Sequence, residues 1–468
     1  MGKPVDDPSA DNGIPEHARE KLKDKLEDLP APAQANLERL LGDDEAVFFE
    51  GTTGVNNSEV WGLNSPEPVL LADVNEGPVR SDPKDFVLVN GDLYFTAATE
   101  ENGRELYKLD GSTGELTLIE LNPGTASSSP FGLTAYNGDL YFRATVAGKG
   151  SELYKVDGET GAVTEFDIVA GTGSSSPTNF TVFDGDLYFT GSTLATGAEI
   201  LKLDDETGQV TAIDLNPGSA PSFPNDLTVF DGDLYFKANT LGNGFELMRL
   251  DSETGAIDVF DINPGSLSSG PTELTEWNGS LYFRATTGAT GVELFKFDPV
   301  TESVTTFDIN DGSMPSHPTD FFIFNGDLYF RAFTEETGFE LFKLDDVTGL
   351  VNAIDVNPGP AWSTPTDLTE FGGNLYFEAN TPADGVEVHM LNGETDDVLV
   401  LEDLLQAQTG YEEWNIAGAT GNFLYLNGRD NDTGDVGLFG YDGVTVTLLQ
   451  PGLTADEFTV IPESFALI

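Results

Sequence analysis

The sequence has no cysteine and only three histidines among its 468 residues. The lack of cysteine excludes a disulfide framework, a thiolate nucleophile and a Cys-ligated zinc ion. His17, His317 and His389 do not have the spacing of a zinc motif, and we interpret each as an incidental polar residue. Neither a glycine-rich phosphate loop nor a Gly-x-Ser-x-Gly elbow is found. The sequence therefore favours a protein that is not an enzyme.

Basic residues are also scarce, because 21 Lys and Arg face 81 Asp and Glu, for a net charge of −60. This charge excludes binding to nucleic acid through phosphate neutralisation, and it disfavours an anionic membrane surface. Any charged partner should be cationic. Salt screens repulsion between carboxylates, so a marine or halophilic setting is a hypothesis that fits this acidity.

Long apolar runs are missing as well, and no stretch of about 18 apolar residues could span a bilayer. Residues 1–30 contain no apolar run typical of a cleavable signal peptide. The segment 463–468 places one acid before a short apolar end, which resembles the C-terminal export signal of bacterial type I secretion substrates. We therefore expect a secreted, extracellular or cell-surface protein without a cleavable signal peptide and without membrane insertion. The alternative is that this segment is simply a final β-strand.

Aromatic residues, glycine and proline are abundant, with 32 Phe, 13 Tyr, 52 Gly and 26 Pro, so a large core with many turns can form. The strongest signal is a repeat of 47 residues. The tripeptide Leu-Tyr-Phe recurs at this step with its tyrosine at Tyr94, Tyr141, Tyr188, Tyr235, Tyr282, Tyr329 and Tyr376. A glutamate recurs at the same step at Glu105, Glu152, Glu199, Glu246, Glu293, Glu340 and Glu387.

One repeat can be divided into four strands, which we call a, b, c and d. Strand a is predicted at 226–230, and Asp231-Gly232 forms a hairpin turn into strand b at 234–239. Strand c follows at 246–250, and a tight turn leads to strand d at 256–261. Four antiparallel strands at a period in this range are typical of the blades of a β-propeller.

The segments Glu-Leu-Tyr-Lys-Leu-Asp-Gly at 105–111 and Glu-Leu-Tyr-Lys-Val-Asp-Gly at 152–158 resemble the bacterial ELWxxDGT repeat, with Tyr in place of Trp. The elements Asp-Ile-Asn-Pro-Gly-Ser and Asn-Gly-x-Leu-Tyr-Phe are similar to the rest of that repeat. The resemblance covers roughly residues 46–461 and implies a secreted or surface propeller without an agreed ligand. Met390 departs from it by replacing the lysine of strand c, and the Asp-x-Asn-Pro-Gly element is missing around residues 401–405.

Strand c can be counted nine times, so we predict an all-β propeller of nine four-stranded blades over residues 44–468, with eight blades as the alternative. The first strand begins at Ala46 without a strand a before it, and residues 457–461 can supply that strand from the C-terminus. Such closure leaves no free sheet edge there. Residues 1–43 are predicted to be a partly disordered extension with two short amphipathic helices, at 15–29 and 33–41.

The connection from strand d to the next strand a is expected to lie on one face of the blades together with the b-to-c loop. It carries pairs of oxygen-bearing side chains that suit Ca²⁺, which prefers six to eight oxygen ligands. The candidate ligands are Asp214, Asn216, Asp261, Asn263, Asp308, Asn310, Asp355 and Asn357. The alternative is that these side chains cap backbone amides in Asx-turns.

Ten of the 21 basic residues occupy fixed positions in strands b and c, where we expect them to pair with carboxylates between blades. Six more lie in the N-terminal extension, which we interpret as an assembly element that docks on an acidic propeller. Trp277 and Trp362 could stack on a sugar, although packing between blades is the interpretation we favour.

These observations favour a secreted, non-catalytic propeller that acts as a surface or extracellular-matrix interaction and assembly module, stabilised by Ca²⁺. Its expected partners are a second copy of the chain, another surface or matrix protein, or a glycan. One alternative is a glycan-binding lectin. The other is a polysaccharide-degrading enzyme, for which only the irregular stretch 402–414 with Tyr411, Glu412 and Glu413 qualifies.

Overall fold

The computed structural model describes residues 45–53, 57–64, 67–75, 79–204, 207–354, 356–382, 385–409, 411, 413–430 and 433–462. The predictions for the extension at 1–43 and for the last six residues lie outside this range. The chain divides into two compact units. Unit 1 comprises Met1–Ala147, Tyr154–Phe166 and Leu449–Ile468, and unit 2 comprises Gly148–Leu153 and Asp167–Leu448.

The described residues form nine antiparallel sheets of four strands each, and the fold is an all-β propeller. The blades before residue 167 contain β1 (Glu45–Thr53), β2 (Ser58–Asn64), β3 (Glu67–Ala72), β4 (Lys84–Val89), β5 (Asp92–Thr99), β6 (Gly103–Leu109), β7 (Leu116–Ile119), β8 (Phe131–Tyr136), β9 (Asp139–Val146), β10 (Gly150–Val156) and β11 (Val163–Phe166).

The following four blades contain β12 (Thr178–Phe183), β13 (Asp186–Thr193), β14 (Gly197–Asp204), β15 (Gln209–Ile213), β16 (Asn225–Phe230), β17 (Asp233–Thr240), β18 (Gly244–Leu250), β19 (Ile257–Phe260), β20 (Thr272–Trp277), β21 (Ser280–Thr287), β22 (Gly291–Asp298), β23 (Ser303–Phe307), β24 (Thr319–Phe324), β25 (Asp327–Thr334), β26 (Gly338–Leu344) and β27 (Val351–Ile354). The remaining elements are β28 (Thr366–Phe371), β29 (Asn374–Thr381), β30 (Gly385–Asn392), β31 (Val398–Val400), α1 (Glu402–Thr409), β32 (Glu413–Ala419), β33 (Leu424–Arg429), β34 (Val436–Tyr441), β35 (Val446–Pro451) and β36 (Leu453–Pro462). The prediction of nine blades is confirmed.

The strands follow the repeat closely. In the blade β16–β19, each strand lies within two residues of its predicted bounds. The turn between β16 and β17 has φ values of 49° at Asp231 and 84° at Gly232. These positive values match the two-residue hairpin turn that the Asp-Gly pair predicts.

The Leu-Tyr-Phe tripeptide builds the core because neighbouring side chains of a strand point to opposite faces of its sheet. All seven repeated tyrosines are at most 5% exposed. Tyr188 packs with Leu234 and Phe236 of the next blade, and Tyr235 packs in the same way with Leu281 and Phe283. In both of these blades the tyrosine therefore lies against the leucine and phenylalanine of the next blade.

The first blade, in unit 1, combines both ends of the described chain. The strand β36 pairs antiparallel with β1, and Ala46 lies opposite Ile461. The predicted C-terminal closing strand is thus confirmed, and it begins four residues earlier than expected, at Leu453. Pairing covers the edge of β1 that would otherwise be open to another chain.

The helix α1 is the feature that the sequence did not predict, since residues 402–414 were expected to be irregular. It replaces the Asp-x-Asn-Pro-Gly connection between β31 and β32. Among the described residues, no helix has both the length and the apolar character that crossing a membrane requires.

Candidate functional site

The connections between successive blades are the predicted ligand-bearing segments, and the structure places each one beside a loop of the next blade. In unit 2, the side-chain amide of Asn216 donates to the carbonyl of Asn239 at 2.9 Å, and its Oδ1 accepts from the backbone N–H of Leu241 at 3.0 Å. Asn239 and Leu241 lie at the end of β17. The connection and the loop between strands b and c therefore lie together, as the repeat predicts.

The asparagines among the predicted calcium ligands are buried and bonded to the backbone. Asn216 is 2% exposed, and Asn263, Asn310 and Asn357 are 8–9% exposed. The amides of Asn216, Asn263 and Asn310 each donate to the carbonyl five residues further along, at 3.3, 3.1 and 3.4 Å. Asn357 differs, because its Nδ2 is buried without a hydrogen-bond partner.

The aspartates of the same connections are exposed, in contrast to the asparagines two residues later. The carboxylates of Asp214, Asp261 and Asp308 accept from the glycine N–H four residues on, at 3.2, 3.3 and 3.2 Å. Asp355 lies outside the described residues. Each carboxylate thus caps a backbone amide, as the alternative to calcium predicts, but the amide is four residues on and not two as in an Asx-turn. The described part of the chain contains no group of three or more acidic or histidine side chains arranged to hold a metal. The calcium site stays a prediction.

A buried glutamate and a serine form a repeated contact that joins one blade to the connection that follows it. The glutamate opens strand c, and its partner is a serine two residues before the repeated proline. The seven pairs, which we call Glu–Ser clasps, are Glu59–Ser81, Glu105–Ser128, Glu152–Ser175, Glu199–Ser222, Glu246–Ser269, Glu293–Ser316 and Glu340–Ser363. All these glutamates are at most 4% exposed, so the clasps lie inside the protein.

The clasp of Glu246 shows the geometry. Its Oε2 accepts from the hydroxyl of Ser269 at 2.5 Å and from the N–H of Ile262 at 3.0 Å. Its Oε1 accepts from the N–H of Ser269 at 2.8 Å. A carboxylate with three donors can remain in the interior because its lost hydration is replaced.

Burial dominates the electrostatics of the clasps. It raises the pKa of Glu246 above its ordinary value, although the bonds from Ser269 and Ile262 act in the opposite direction. At Glu293 burial raises the pKa to about 7, against the lowering effect of Ser316 and Ile309. These carboxyl groups therefore take up protons more readily than exposed glutamates do.

We did not predict the clasps from the repeated glutamate. The signal was present, since serine recurs at the same step of 47 residues, at Ser81, Ser128, Ser175, Ser222, Ser269, Ser316 and Ser363. A glutamate series and a serine series that recur at the same step indicate a contact made once per repeat.

The basic residues of the strands pair mostly within their own blade, whereas we expected pairs between blades. Lys343 of β26 lies 2.8 Å from Asp327 of β25, and Arg331 of β25 lies 3.2 Å from Asp320 of β24. Some also pair with the next blade, since Lys343 lies 3.1 Å from Asp396, between β30 and β31. The acids that open strand a are partly neutralised in this way. Asp320 itself has a φ of 61°, at a register shift in which β24 bulges against β25.

The remaining candidates differ in exposure. His389 is buried, stacks on Phe377 and has its pKa lowered by burial, and His317 is exposed. Trp277 is 6% exposed and its Nε1 donates to the carbonyl of Gly326 at 2.9 Å, so it packs between blades as expected. Trp362 is 54% exposed, which is not the packing that we favoured for it. His17 and Glu412 lie outside the described residues.

The stretch considered for an enzyme site packs into the core instead. Tyr411 and Trp414 contact Phe439, each with a ring-centroid distance of 4.8 Å. Glu413 is exposed at the start of β32. These aromatic rings stabilise the junction before the last blade, and they do not line an open cleft.

The sequence matches no protein-family model and no curated protein. Among similar solved structures is the β-propeller domain of the trilobed protease from Pyrococcus furiosus, with 13% identity and a TM-score of 0.36 over 69% of this chain and 97% of that one. Apo AztD from Citrobacter koseri has 11% identity and a TM-score of 0.43, over 76% of this chain and 94% of that one.

A puromycin-hydrolysing peptidase of Mycobacterium tuberculosis has 14% identity and a TM-score of 0.38, over 74% of this chain. The chain spans only 57% of that peptidase. At such identities the likeness concerns the fold and carries no activity over to this protein.

Proposed function

We propose that this protein is a secreted, non-catalytic β-propeller that acts as an interaction and assembly module at a cell surface or in an extracellular matrix. The resemblance to the ELWxxDGT repeat belongs to this proposal. The observation that carries it is the uniformity of the connections. Seven Glu–Ser clasps hold connections of similar build, whose exposed acids repeat from blade to blade. Repetition of one chemistry suits multivalent binding.

The state of the acidic residues supports a binding role over a catalytic one. The clasp glutamates are buried with their donors, and acids at the start of strand a, such as Asp320, pair with cations. An acid or base in catalysis needs access to its substrate. The exposed acids that repeat from one connection to the next, such as Asp214, Asp261 and Asp308, suit a cationic partner.

Assembly through the N-terminal extension is tested by comparing the full chain with a chain of residues 44–468. We expect both to melt alike, because every strand of the propeller begins after residue 44. Sedimentation and negative-stain images should show oligomers or filaments for the full chain only. A full chain that is monomeric at all concentrations would contradict the assembly part of the proposal. High salt should weaken the assembly if charge holds the extension in place.

Export is tested by deleting residues 463–468, which follow the closing strand β36. We expect the truncated chain to accumulate in folded form in the cell lysate and to be lost from the culture supernatant. Normal secretion of this variant would contradict a C-terminal export signal. If the segment only stabilises the fold, the melting temperature should fall and the surviving protein should still be secreted.

Stabilisation by calcium is a separate part of the proposal. A metal that binds only the folded chain raises its stability by mass action. A chelator should then lower the melting temperature at fixed ionic strength, and added Ca²⁺ should restore it. An unchanged melting temperature would contradict the calcium part of the proposal and leave Asp261 and Asn263 with their local backbone bonds alone.

A further inference from the structure

One connection of unit 2 carries an exposed tryptophan that packs on two half-buried phenylalanines. Trp362 lies between β27 and β28 and is 54% exposed. Its ring lies 5.3 Å from that of Phe339 at 84° and 6.3 Å from that of Phe333 at 83°. Phe333 and Phe339 face each other across β25 and β26, with their ring centroids 5.2 Å apart. The two phenylalanines thus hold the indole in place.

The indole also lies directly on the backbone of Gly338. A Cβ atom added there would come within 2.4 Å of Cδ1 of Trp362, so the glycine is needed for this close approach. Gly338 has a φ of 76°, which a side chain would rarely tolerate. The ring is therefore in contact with backbone on one side and with two phenylalanine rings on others, and its remaining surface meets solvent.

The equivalent positions of the two preceding repeats do not carry this aromatic cluster. The residues 47 positions before Phe333, Phe339 and Trp362 are Thr286, Val292 and Pro315. One repeat earlier they are Asn239, Phe245 and Ser268. The blade fold therefore does not require three aromatic residues here. An aromatic cluster that the fold does not need, and whose tryptophan is exposed, indicates a binding surface.

The backbone of this connection also departs from the others. In three other connections of unit 2, the buried asparagine amide donates to the carbonyl five residues further along, and the corresponding carbonyl here is that of Trp362 itself. Asn357 does not make this bond, and its Nδ2 has no partner. The segment that presents Trp362 thus lacks a contact that its equivalents keep, and the buried donor that this leaves unsatisfied requires an explanation.

Polar groups lie near the ring. The Nε1–H of Trp362 donates to no acceptor in the described part of the chain. Glu335 and Glu336 are exposed in the loop three and two residues before Gly338, the glycine that the indole contacts. The site therefore offers an exposed indole face with one donor, its Nε1–H, and with carboxylate acceptors in the adjoining loop.

We propose that the surface formed by Phe333, Phe339 and Trp362 binds a ring of a neutral polysaccharide. A sugar ring has an apolar face of C–H groups that stacks on an indole. Its hydroxyl groups both donate to carboxylates and accept from N–H groups. An ammonium group could stack on Trp362 but has no acceptor for the indole N–H, and the net charge of −60 disfavours an anionic glycan.

This inference deepens the proposed interaction module by naming one ligand class, and it rests on that function. The test uses affinity electrophoresis of the full chain in gels that contain a neutral β-1,3-glucan, a neutral β-1,4-glucan, a mannan or agarose, with alginate and oligolysine as charged comparisons. Binding of oligosaccharides is then followed by tryptophan fluorescence. Of the other three tryptophans, Trp277 and Trp414 are only 6% and 3% exposed and Trp61 is half-buried, so the part of the change that is absent in Trp362→Ser reports on Trp362.

We expect retardation by at least one neutral polysaccharide that persists at high salt. Trp362→Ser, which installs the residue found at Ser268, should weaken this binding about tenfold or more. Phe333→Thr, which installs the residue found at Thr286, should weaken it less. The matched control is Phe223→Gly, which removes an aromatic residue that is 53% exposed on another connection and should leave binding unchanged.

Equal binding by the parent and Trp362→Ser, or no binding to any neutral polysaccharide, would overturn the proposal. So would binding of oligolysine that is lost in Trp362→Ser while sugars do not bind. If Trp362→Ser melts earlier than the parent, Phe333→Thr decides the outcome. Loss of sugar binding with intact assembly refutes this site alone. The comparison of the full chain with residues 44–468 tests the proposed assembly, and its outcome does not depend on Trp362.

Discussion

Two connections of unit 2 each join one blade to the next, one through a buried carboxylate and the other through apolar packing. Between β19 and β20, the buried Glu246 accepts hydrogen bonds from Ile262 and Ser269. Between β31 and β32, the helix α1 takes the place of that connection, and apolar burial replaces the carboxylate. There Leu401, Leu405 and Trp414 are 4%, 0% and 3% exposed and pack in one cluster.

The difference shows what a repeat needs at each junction. The strand that opens with glutamate must be fastened to the segment that leads to the next blade. A buried carboxylate does this with directional bonds, and it leaves a titratable group in the interior. An apolar helix joins the blades by burying apolar surface, so its contribution to the free energy of unfolding should not depend on pH.

The largest expected effect is that of Glu246→Ala. The change removes the acceptor of the N–H groups of Ile262 and Ser269, and it leaves the Ser269 hydroxyl with only the carbonyl of Phe245 at 3.4 Å. We expect a loss of about 4 kcal/mol in the free energy of unfolding. Urea and thermal unfolding measure it. A loss below about 1 kcal/mol would show that water replaces the carboxylate and that the clasp contributes little.

The helical junction should be slightly less sensitive. Leu405 is fully buried, and Leu405→Ala leaves a cavity beside Trp414 and Phe439. We expect a loss of about 3 kcal/mol, of the same size at low and neutral pH. The same unfolding measurements at several pH values provide the check, and a strong pH dependence would mean that α1 does not act through apolar burial.

A smaller effect, the dependence of stability on pH, distinguishes the carboxylate junctions from the helical junction. Burial raises the pKa of Glu293 from 4.5 to about 7. A raised pKa means that the folded chain holds the proton more tightly, so this stabilising contribution is fully present below pH 4.5 and is lost as the pH rises through about 7. Glu293→Gln keeps a neutral side chain at every pH, so we expect it to destabilise the protein less near pH 8 than near pH 5.

The many other carboxylates also titrate in this range, so only the difference between parent and variant is informative. Leu405→Ala serves as the control, because its difference from the parent should stay constant. A difference for Glu293→Gln that is equally constant would contradict the raised pKa.

The smallest expected effect is that of Ser269→Ala. This variant removes one hydrogen bond from Glu246 and keeps the two backbone donors. We expect a loss of about 1 kcal/mol. Ser269→Thr would keep the hydroxyl but add a methyl group in a site that is 1% exposed, so it tests space and bonding separately. If Ser269→Ala costs as much as Glu246→Ala, the hydroxyl and not the backbone amides holds the carboxylate.

Much of the blade architecture could be predicted because its signals are local. The Asp231-Gly232 turn and the alternation in 234–239 specify a hairpin by themselves, and the strand from 457 to 461 was found because it matches other first strands. The helix at 402–409 was missed because it has no equivalent in the repeat. The exposure of Trp362 was missed because sequence does not show which neighbours cover a ring.

The sequence alone determined the number of blades, the position of the strands and the closing of the first blade by β36, because a period of 47 residues and the alternation of side chains are properties of the chain itself. Only the tertiary structure decided that Glu246 is buried against Ser269 and that Trp362 is exposed on Gly338. Burial depends on residues that lie far apart in the chain. The sequence does not distinguish a carboxylate that faces water from one that accepts three hydrogen bonds in the core.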